Sequence, residues 1–313
     1  FIELNYEKEY KTQVLNEMFN AYKKGITPNP DSQCNTKIKF PFLWKKAKKL
    51  GCQFIATGHY AKKIKKNQIS PKQYYKGKVG KKTEKVFLLK IPKDKNKDQT
   101  YFLYGLTQEN LNHTLFPIGD YTKLEVRQIA KANRLSNWNK QGTRGLCFVG
   151  NIEMKQFLKQ KIKQRPGKTL NPEKEVIGTH QGIQFYTIGE RIKEDIKINK
   201  EYKNKIKSKL YIAEKNIKNN TLIIAPKNHQ ILFKKQFKIK NINYISDKPK
   251  FPLKNIKVRI RHLGKLIPAE IKKQGNKIIC TLKHPTQGLA EGQSVVIYTK
   301  QRVMLGGGEI QYI

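Results

Sequence analysis

Two hydrophobic periodicities divide this chain of 313 residues. Between Tyr10 and Lys24 the apolar residues recur at helical spacing, and Gly25 follows as a plausible C-terminal stop. From about Ser208 onward, short apolar runs are separated by turn signals such as Gly275-Asn276, which is typical of a β-hairpin. We therefore predict an α/β unit followed by a small C-terminal β-barrel.

The first unit carries the signature of a parallel sheet. A predicted helix over Ile38 to Leu50 leads through Gly51 into the apolar run CQFIAT, which ends at Gly58-His59. Short apolar strands of this kind occur in parallel sheets, whose ligands bind beyond the carboxyl ends of the strands. Residues 122 to 125, TKLE, fit a capping box and predict a further helix. The lysine-rich stretch from Ala61 to Val86 is expected to form a loop or hairpin.

The charge of the chain narrows the choice of partners. The formal net charge is +42, and such a field favours polyanions, with nucleic acid first and membrane surfaces second. Only eight of the 65 basic residues are Arg, so the lysine bias could equally reflect an AT-rich genome, and charge alone leaves RNA binding open. No apolar stretch approaches the roughly 18 residues that predict a membrane span.

The four cysteines differ in their surroundings. They show no CxxC pair and no short spacing with His, so we predict no metal site and a reducing compartment. Cys52 and Cys280 lie in apolar runs and are expected to be buried hydrophobes. Cys34 follows a Pro-Asn-Pro-Asp turn, which predicts a stiff loop, and Cys147 follows Gly145 among polar residues. Asp31, three residues before Cys34, could exchange a proton with a thiol or cap the next helix.

Seven motifs carry a family resemblance. In chain order they are TPNPDSQCNTKIKF, IATGHYAK, DKNKDQTYFLYGL, FPIGDYTKLEVRQIA, GLCFVG, GTHQGIQFYTIGER and LGGGEI. Any one of them could arise by chance, but seven in family order over nearly the whole chain are specific. The sequence resembles the MnmA/TrmU tRNA 2-thiouridylases.

This resemblance implies a fold and a reaction. The fold would comprise a PP-loop, adenine-nucleotide α-hydrolase-like α/β domain with a parallel sheet over residues 1–154, a small central domain over 155–226 and a β-barrel over 227–313. The reaction would be ATP-dependent 2-thiolation of the wobble uridine of tRNA, with Mg²⁺ accompanying ATP. The partners would be tRNA and a persulfide sulfur donor protein, with no membrane.

The resemblance also implies roles for individual residues. Cys147 would carry the persulfide, and Cys34 would be the second catalytic cysteine, forming a transient disulfide with Cys147. Asp31 would belong to the catalytic group, and Gly58 would contact ATP. Positions that match tRNA-contacting ones are Asn29, Pro30, Asp31, His59, Lys97, Asp98, Gln99, Arg259, Ile260 and Gln293. Ile260 stands where the family has Tyr, so it lacks stacking and hydroxyl capacity.

Two departures from the family pattern matter. The SGGVDS-type loop that cradles the ATP pyrophosphate should precede residue 1, and Phe1 does not look like a start site, so we expect this stretch alone to be inactive. Gly142-Thr143-Arg144 replaces the usual acidic-Ser triplet, which would make the surroundings of Cys147 more positive. The alternatives are a noncatalytic tRNA-binding protein derived from such an enzyme, and a related modifier with another sulfur source.

The segments NRL, QRPG and GTHQG, together with the lysine-rich composition, look closer to mitochondrial than to bacterial members of the family. We therefore expect a mitochondrial location, with a bacterial-type cytoplasmic one as the alternative.

Overall fold

The computed structural model of the chain describes residues 1–66, 86–140, 145, 147, 149–150 and 153–313. The Gly142-Thr143-Arg144 departure and most of the predicted loop between Ala61 and Val86 lie outside these residues. Within them, no helix is both long and apolar enough to cross a membrane.

The chain opens with three consecutive helical segments. They are α1 (Glu7–Tyr10), a π-helical turn (Lys11–Leu15) and α2 (Asn16–Lys23). The predicted apolar face is the buried one, with Val14, Met18 and Tyr22 in the interior. Gly25 ends the helix with φ +71°, a left-handed conformation that glycine adopts without strain.

The Pro-Asn-Pro-Asp segment starts a helix, which corrects the prediction of a loop around Cys34. The helical stretch consists of α3 (Pro30–Gln33), a π-helical turn (Cys34–Lys39) and α4 (Phe40–Lys49). The Asn29 side chain caps it by accepting a hydrogen bond from the Ser32 N–H at 3.2 Å. Pro30 is tolerated because it occupies the first turn, where its missing N–H has no helical partner.

The rest of the first domain surrounds a short parallel ladder. Its elements are β1 (Ile55–Ala56), β2 (Lys62–Lys65), β3 (Phe87–Lys90), α5 (Gln108–Asn112), β4 (Thr114–Leu115) and α6 (Lys123–Ala132). Strands β1 and β4 pair in parallel, which confirms the predicted sheet type. Helix α6 begins with the predicted capping box between Thr122 and Glu125. Strands β2 and β3 pair antiparallel, as the two arms of a hairpin do.

The central domain is built on a five-stranded sheet. Its elements are α7 (Met154–Lys159), β5 (Gly167–Leu170), β6 (Val176–His180), β7 (Lys197–Ile198), α8 (Lys200–Lys205), β8 (Leu210–Asn216) and β9 (Thr221–Pro226). The strand order is β7-β6-β5-β9-β8, with only the β5–β9 pair parallel. Met18 and Tyr22 of α2 pack into the core of this domain, so the first helix lies between the two domains.

The C-terminal part is the predicted β-barrel. It consists of β10 (Phe233–Tyr244), β11 (Leu253–Arg259), β12 (Ile267–Gln274), β13 (Lys277–Gln287), β14 (Ser294–Thr299) and β15 (Val303–Gln311). The order β10-β13-β12-β11-β14-β15 closes because β15 also pairs with β10. Gly275-Asn276 turns the chain between β12 and β13, as predicted.

One ladder joins the barrel to the first domain. Strand β3 pairs antiparallel with β15, with Leu89 opposite Met304 and Lys90 opposite Val303. The same core cluster therefore contains Leu89 of the first domain and Tyr298 of the barrel, both fully buried. This shared core places the start of β14 beside the helix that carries Cys34.

The two cysteines predicted to be structural behave differently. Cys280 is fully buried in the barrel, as predicted. Cys52 is exposed, so the prediction for it is wrong. The strand begins only at Ile55, and Cys52 belongs to the turn that connects α4 with β1.

Candidate active site

Cys34 and Cys147 lie side by side as free thiols that share a hydrogen bond. Cys34, at the start of the second π-helical turn, is fully buried against Tyr10, Val14 and Ile38. Cys147 packs against the same cluster but is only half-buried. The pair therefore has one enclosed sulfur and one that can meet a reactant.

The surroundings shift the pKa values of the two thiols in opposite directions. The hydrogen bond from Cys34, together with the charge and hydrogen bond of Lys39, lowers the pKa of Cys147 to about 6. The hydrogen bond to Cys147, burial and the negative charge on Cys147 all raise the pKa of Cys34. These shifts favour the thiolate, which is the nucleophilic form, on Cys147 and the protonated thiol on Cys34.

The backbone of Cys147 is held at both of its polar groups. Asp31 accepts a hydrogen bond from the Cys147 N–H at 3.2 Å, and the Tyr10 hydroxyl donates to the Cys147 carbonyl at 2.5 Å. Burial raises the pKa of Asp31, although the Cys147 N–H and the Lys39 charge act in the opposite direction. Asn29 rather than Asp31 is the helix cap, so Asp31 is available to the cysteine pair.

The barrel supports the segment before Cys34. Gln293 donates its side-chain amide to the carbonyls of Thr27 and Pro28 at 3.2 and 3.1 Å. Asn29 donates its own amide to the Ser294 hydroxyl at 3.0 Å. Two predicted substrate-side residues, Asn29 and Gln293, are therefore parts of one connection between the barrel and the cysteine site.

Gly58 and His59 follow β1 at the carboxyl end of the parallel ladder, as predicted. Gly58 is exposed, and a Cβ added there would meet no atom within 4 Å, so its backbone is open to a ligand. His59 is 9% exposed and stacks on Phe40 at a ring distance of 5.5 Å. Burial, with the Lys39 charge, lowers the pKa of His59 to about 4, so its ring is neutral at physiological pH.

Several predicted tRNA-contacting positions make contacts inside the protein. The buried Asp98 forms an ion pair with Arg259 of the barrel, which is also buried. Ile260 is 3% exposed and packs in the barrel core. Gln99 accepts a hydrogen bond from the Tyr60 N–H at 2.9 Å, next to His59, whereas Lys97 is exposed. A tRNA contact at these positions stays a prediction.

Three residues of the site carry no signal in the sequence. Lys39 hydrogen-bonds to the Cys147 sulfur, but it is one of 57 lysines. Tyr10 occupies a helix face and is indistinguishable there from a core aromatic. His262 contacts the Asp98 carbonyl at 3.0 Å and acts electrostatically on Asp31. In the described part of the chain, no group of three or more His, Cys, Asp or Glu could hold a metal ion.

Family models match the chain in three consecutive blocks. The tRNA methyl transferase HUP domain matches residues 1–151, the tRNA methyl transferase PRC-barrel domain matches 155–226, and the aminomethyltransferase β-barrel domain matches 234–310. Together these blocks include both cysteines and every residue of the site described above.

Curated relatives are similar over almost the whole chain. The tRNA-specific 2-thiouridylase MnmA 2 of Aliarcobacter butzleri is 36% identical, covering 98% of this chain and 80% of its own. The tRNA-specific 2-thiouridylase MnmA of Clostridioides difficile is 36% identical over 99% of this chain and 80% of its own. The one of Blochmanniella floridana is 38% identical over 98% and 78%.

Proposed function

The chain belongs to the MnmA/TrmU family of tRNA-specific 2-thiouridylases, and on that premise we propose how its residues perform the reaction. The protein is a tRNA-uridine 2-sulfurtransferase, and the target we propose is the wobble uridine. The observation that carries the mechanism is the hydrogen-bonded pair of Cys34 and Cys147 thiols with unequal acidity. The noncatalytic RNA-binding alternative has no support from the relatives, which are all named as enzymes.

Cys147 is the sulfur carrier in this proposal. Its thiolate attacks the terminal sulfur of a donor persulfide, R–S–SH. The new S–S bond forms on Cys147, the S–S bond of the donor breaks, and the donor leaves as R–S⁻. Half-burial suits this role because the sulfur must be reached by a donor and then be kept from water.

The transfer to tRNA uses the persulfide as the nucleophile. When ATP is bound, it supplies the activation of the uridine C2 oxygen as a leaving group. The terminal sulfur of the Cys147 persulfide forms a bond to C2 as the C2–O bond breaks and the oxygen leaves as part of AMP. The uridine is then joined to Cys147 through an S–S bond.

Cys34 completes the transfer. The negative charge on Cys147 is one cause of the raised pKa of Cys34, and that charge disappears once Cys147 is joined to the uridine, while Lys39 favours ionisation of Cys34. The Cys34 sulfur attacks the Cys147 sulfur, and its proton passes to the departing 2-thiouridine anion. The bond from Cys147 to the transferred sulfur breaks, leaving 2-thiouridine and a Cys34–Cys147 disulfide. Cellular thiols then reduce this disulfide, which is consistent with the reducing compartment expected from the cysteine pattern.

Gly58 is the residue that we assign to contact with ATP. Its exposed backbone at the end of β1 has room for a close approach by the nucleotide. We assign Mg²⁺ to the phosphates of ATP rather than to protein ligands. The tRNA partner fits the net charge of +42 and exposed lysines such as Lys97.

Mass analysis of tRNA from cells depleted of the protein tests the function, and 2-thiouridine should fall. An undiminished level would refute the function. Cys147→Ser should abolish thiolation while tRNA binding persists, and full activity in this variant would refute the sulfur-carrier role. Cys52→Ser is the matched control, because Cys52 is an exposed cysteine outside the site.

A mitochondrial location is a separate proposal, supported by the NRL, QRPG and GTHQG segments and the lysine-rich composition. Cell fractionation with an antibody against this chain tests it. Enrichment with a mitochondrial matrix marker is the expected result, and enrichment with cytosolic markers would contradict it.

A further inference from the structure

Lys39 reaches the cysteine site because of an unusual helical turn. It is the last residue of the π-helical turn that begins with Cys34. In an α-helix, a residue five positions after Cys34 would point about 140° away from it. The wider turn of a π-helix, closed by i→i+5 hydrogen bonds, brings that residue back toward the face of Cys34. Single π-helical turns inside α-helices are rare and occur frequently at functional sites.

The Lys39 ammonium therefore lies among the groups that perform sulfur transfer. It hydrogen-bonds to the Cys147 sulfur, and its charge acts on Cys34 and Asp31 as well. Lys37, in the same turn, has a different environment and pairs with Glu17 of α2 at 2.6 Å. Comparing variants of Lys37 and Lys39 therefore distinguishes a general effect of positive charge from a specific contact with the cysteines.

We propose that Lys39 is the charge partner of the sulfur carrier, holding Cys147 as a thiolate before sulfur loading and binding the persulfide anion afterwards. Stabilisation of the Cys147 thiolate by Lys39 does not depend on the proposed function. Binding of the persulfide anion by Lys39 rests on the proposed sulfur-carrier role of Cys147. It adds a residue that acts on the reacting sulfur directly.

A cation at this position favours the reaction because the negative charge moves from one sulfur to another. It sits on the Cys147 sulfur in the resting enzyme and on the terminal sulfur after loading, one S–S bond further out. A lysine ammonium is a compact charge on a flexible four-carbon stem, so it can follow the anion over this distance. Burial of Cys147 opposes the charged form, and Lys39 offsets that effect in a partly dry site.

The first test measures ionisation of Cys147 without turnover. The protein is alkylated with iodoacetamide between pH 5 and 9, and mass spectrometry follows the peptide that carries Cys147. Lys39→Met should move the midpoint of the alkylation profile upward by about one pH unit, making alkylation near pH 6 about fivefold slower. Lys39→Arg should retain most of the original profile, and Lys37→Met should leave it unchanged. An unchanged profile in Lys39→Met would overturn the proposal.

The second test loads sulfur onto Cys147 from a small-molecule persulfide, and mass spectrometry measures the persulfide that remains with time. Lys39→Met should retain less of it, whereas Lys37→Met should match the unmodified protein. Lys39→Gln replaces Lys39→Met if the latter shows a lowered thermal midpoint.

These outcomes separate the two proposals. If Cys147→Ser still thiolates tRNA, the sulfur-carrier role fails, while the alkylation profiles continue to report on Lys39. If Cys147→Ser is inactive and the Lys39→Met profile is unchanged, the role of Lys39 fails alone.

Discussion

Asp31 accepts the backbone N–H of Cys147 at 3.2 Å, so the residue three positions before one cysteine orients the other. This contact distinguishes two possible roles of the carboxylate, positioning and proton transfer. Asp31→Asn keeps an oxygen that can accept the N–H but cannot exchange a proton, whereas Asp31→Ala loses both capacities.

We predict that Asp31→Asn retains at least a third of the thiolation rate, while Asp31→Ala falls about tenfold, corresponding to about 1.4 kcal/mol for a lost hydrogen bond. Single-turnover thiolation with preloaded Cys147 persulfide measures both rates. Equal large losses in the two variants would instead indicate proton transfer by Asp31.

Tyr10 fixes the other polar group of Cys147 through its hydroxyl. Tyr10→Phe removes this hydrogen bond and retains the ring that packs against Val14, Cys34 and Ile38. We predict a three- to tenfold slower formation of the Cys34–Cys147 disulfide under a mild oxidant, since about 1 kcal/mol that favours the docked Cys147 is lost. The thermal midpoint should change little. Tyr121→Phe, at an exposed tyrosine, is the control, and equal rates in both variants would contradict the role of Tyr10.

Asp98 and Arg259 form a buried ion pair between the first domain and the barrel. Replacing one partner leaves the other charge buried without its partner, so Asp98→Ala should lower the free energy of unfolding by about 3 kcal/mol or more. The double variant Asp98→Leu with Arg259→Met should recover part of this loss because no unpaired charge remains. Urea unfolding measures both. A loss in Asp98→Ala below 1 kcal/mol would show that the pair does not stabilise the domain contact.

His59 makes stability depend on pH in a defined window. Its pKa is lowered from 6.5 to about 4 in the folded protein, so between these values the unfolded chain binds more protons. The free energy of unfolding should therefore fall as pH decreases from 6.5 to 4, with a contribution from His59 on the order of 3 kcal/mol.

His59→Gln should flatten the pH profile of stability in that window while leaving the slope above pH 7 unchanged. Urea midpoints measured at half-unit steps from pH 4 to 8 test this. An identical slope in the variant and the unmodified protein would contradict the buried neutral state of His59. His229→Gln is a control at a histidine outside the site, which caps a short helical turn after β9.

Elements governed by local pattern were predictable. The Gly275-Asn276 hairpin, the capping box between Thr122 and Glu125 and the apolar face of α2 follow from turn chemistry and periodicity, which act within a few residues. The two prolines before Cys34 predict a loop, whereas the structure has a helix there. Pro30 instead occupies the first turn, behind the Asn29 cap.

The candidate site was predictable only in part. The quoted motifs identify Cys34, Cys147 and Asp31 as one group because they follow the family order. Nothing local identifies Lys39, whose contact with Cys147 depends on a π-helical turn. The side chains of Asp98 and Arg259 match family positions expected to contact tRNA, but burial directs them to each other.

The family, the α/β-then-β order of elements and the identity of the two reactive cysteines can therefore be inferred from the amino-acid sequence without the structure. These depend on residue types and on periodicities that short stretches of chain carry with them. Tertiary contacts pair β3 with β15, set Gln293 against the segment before Asn29, and shift the pKa of Cys147 downward and that of Cys34 upward. Each of these depends on atoms brought together from distant parts of the chain and on the burial that results, which no local pattern specifies.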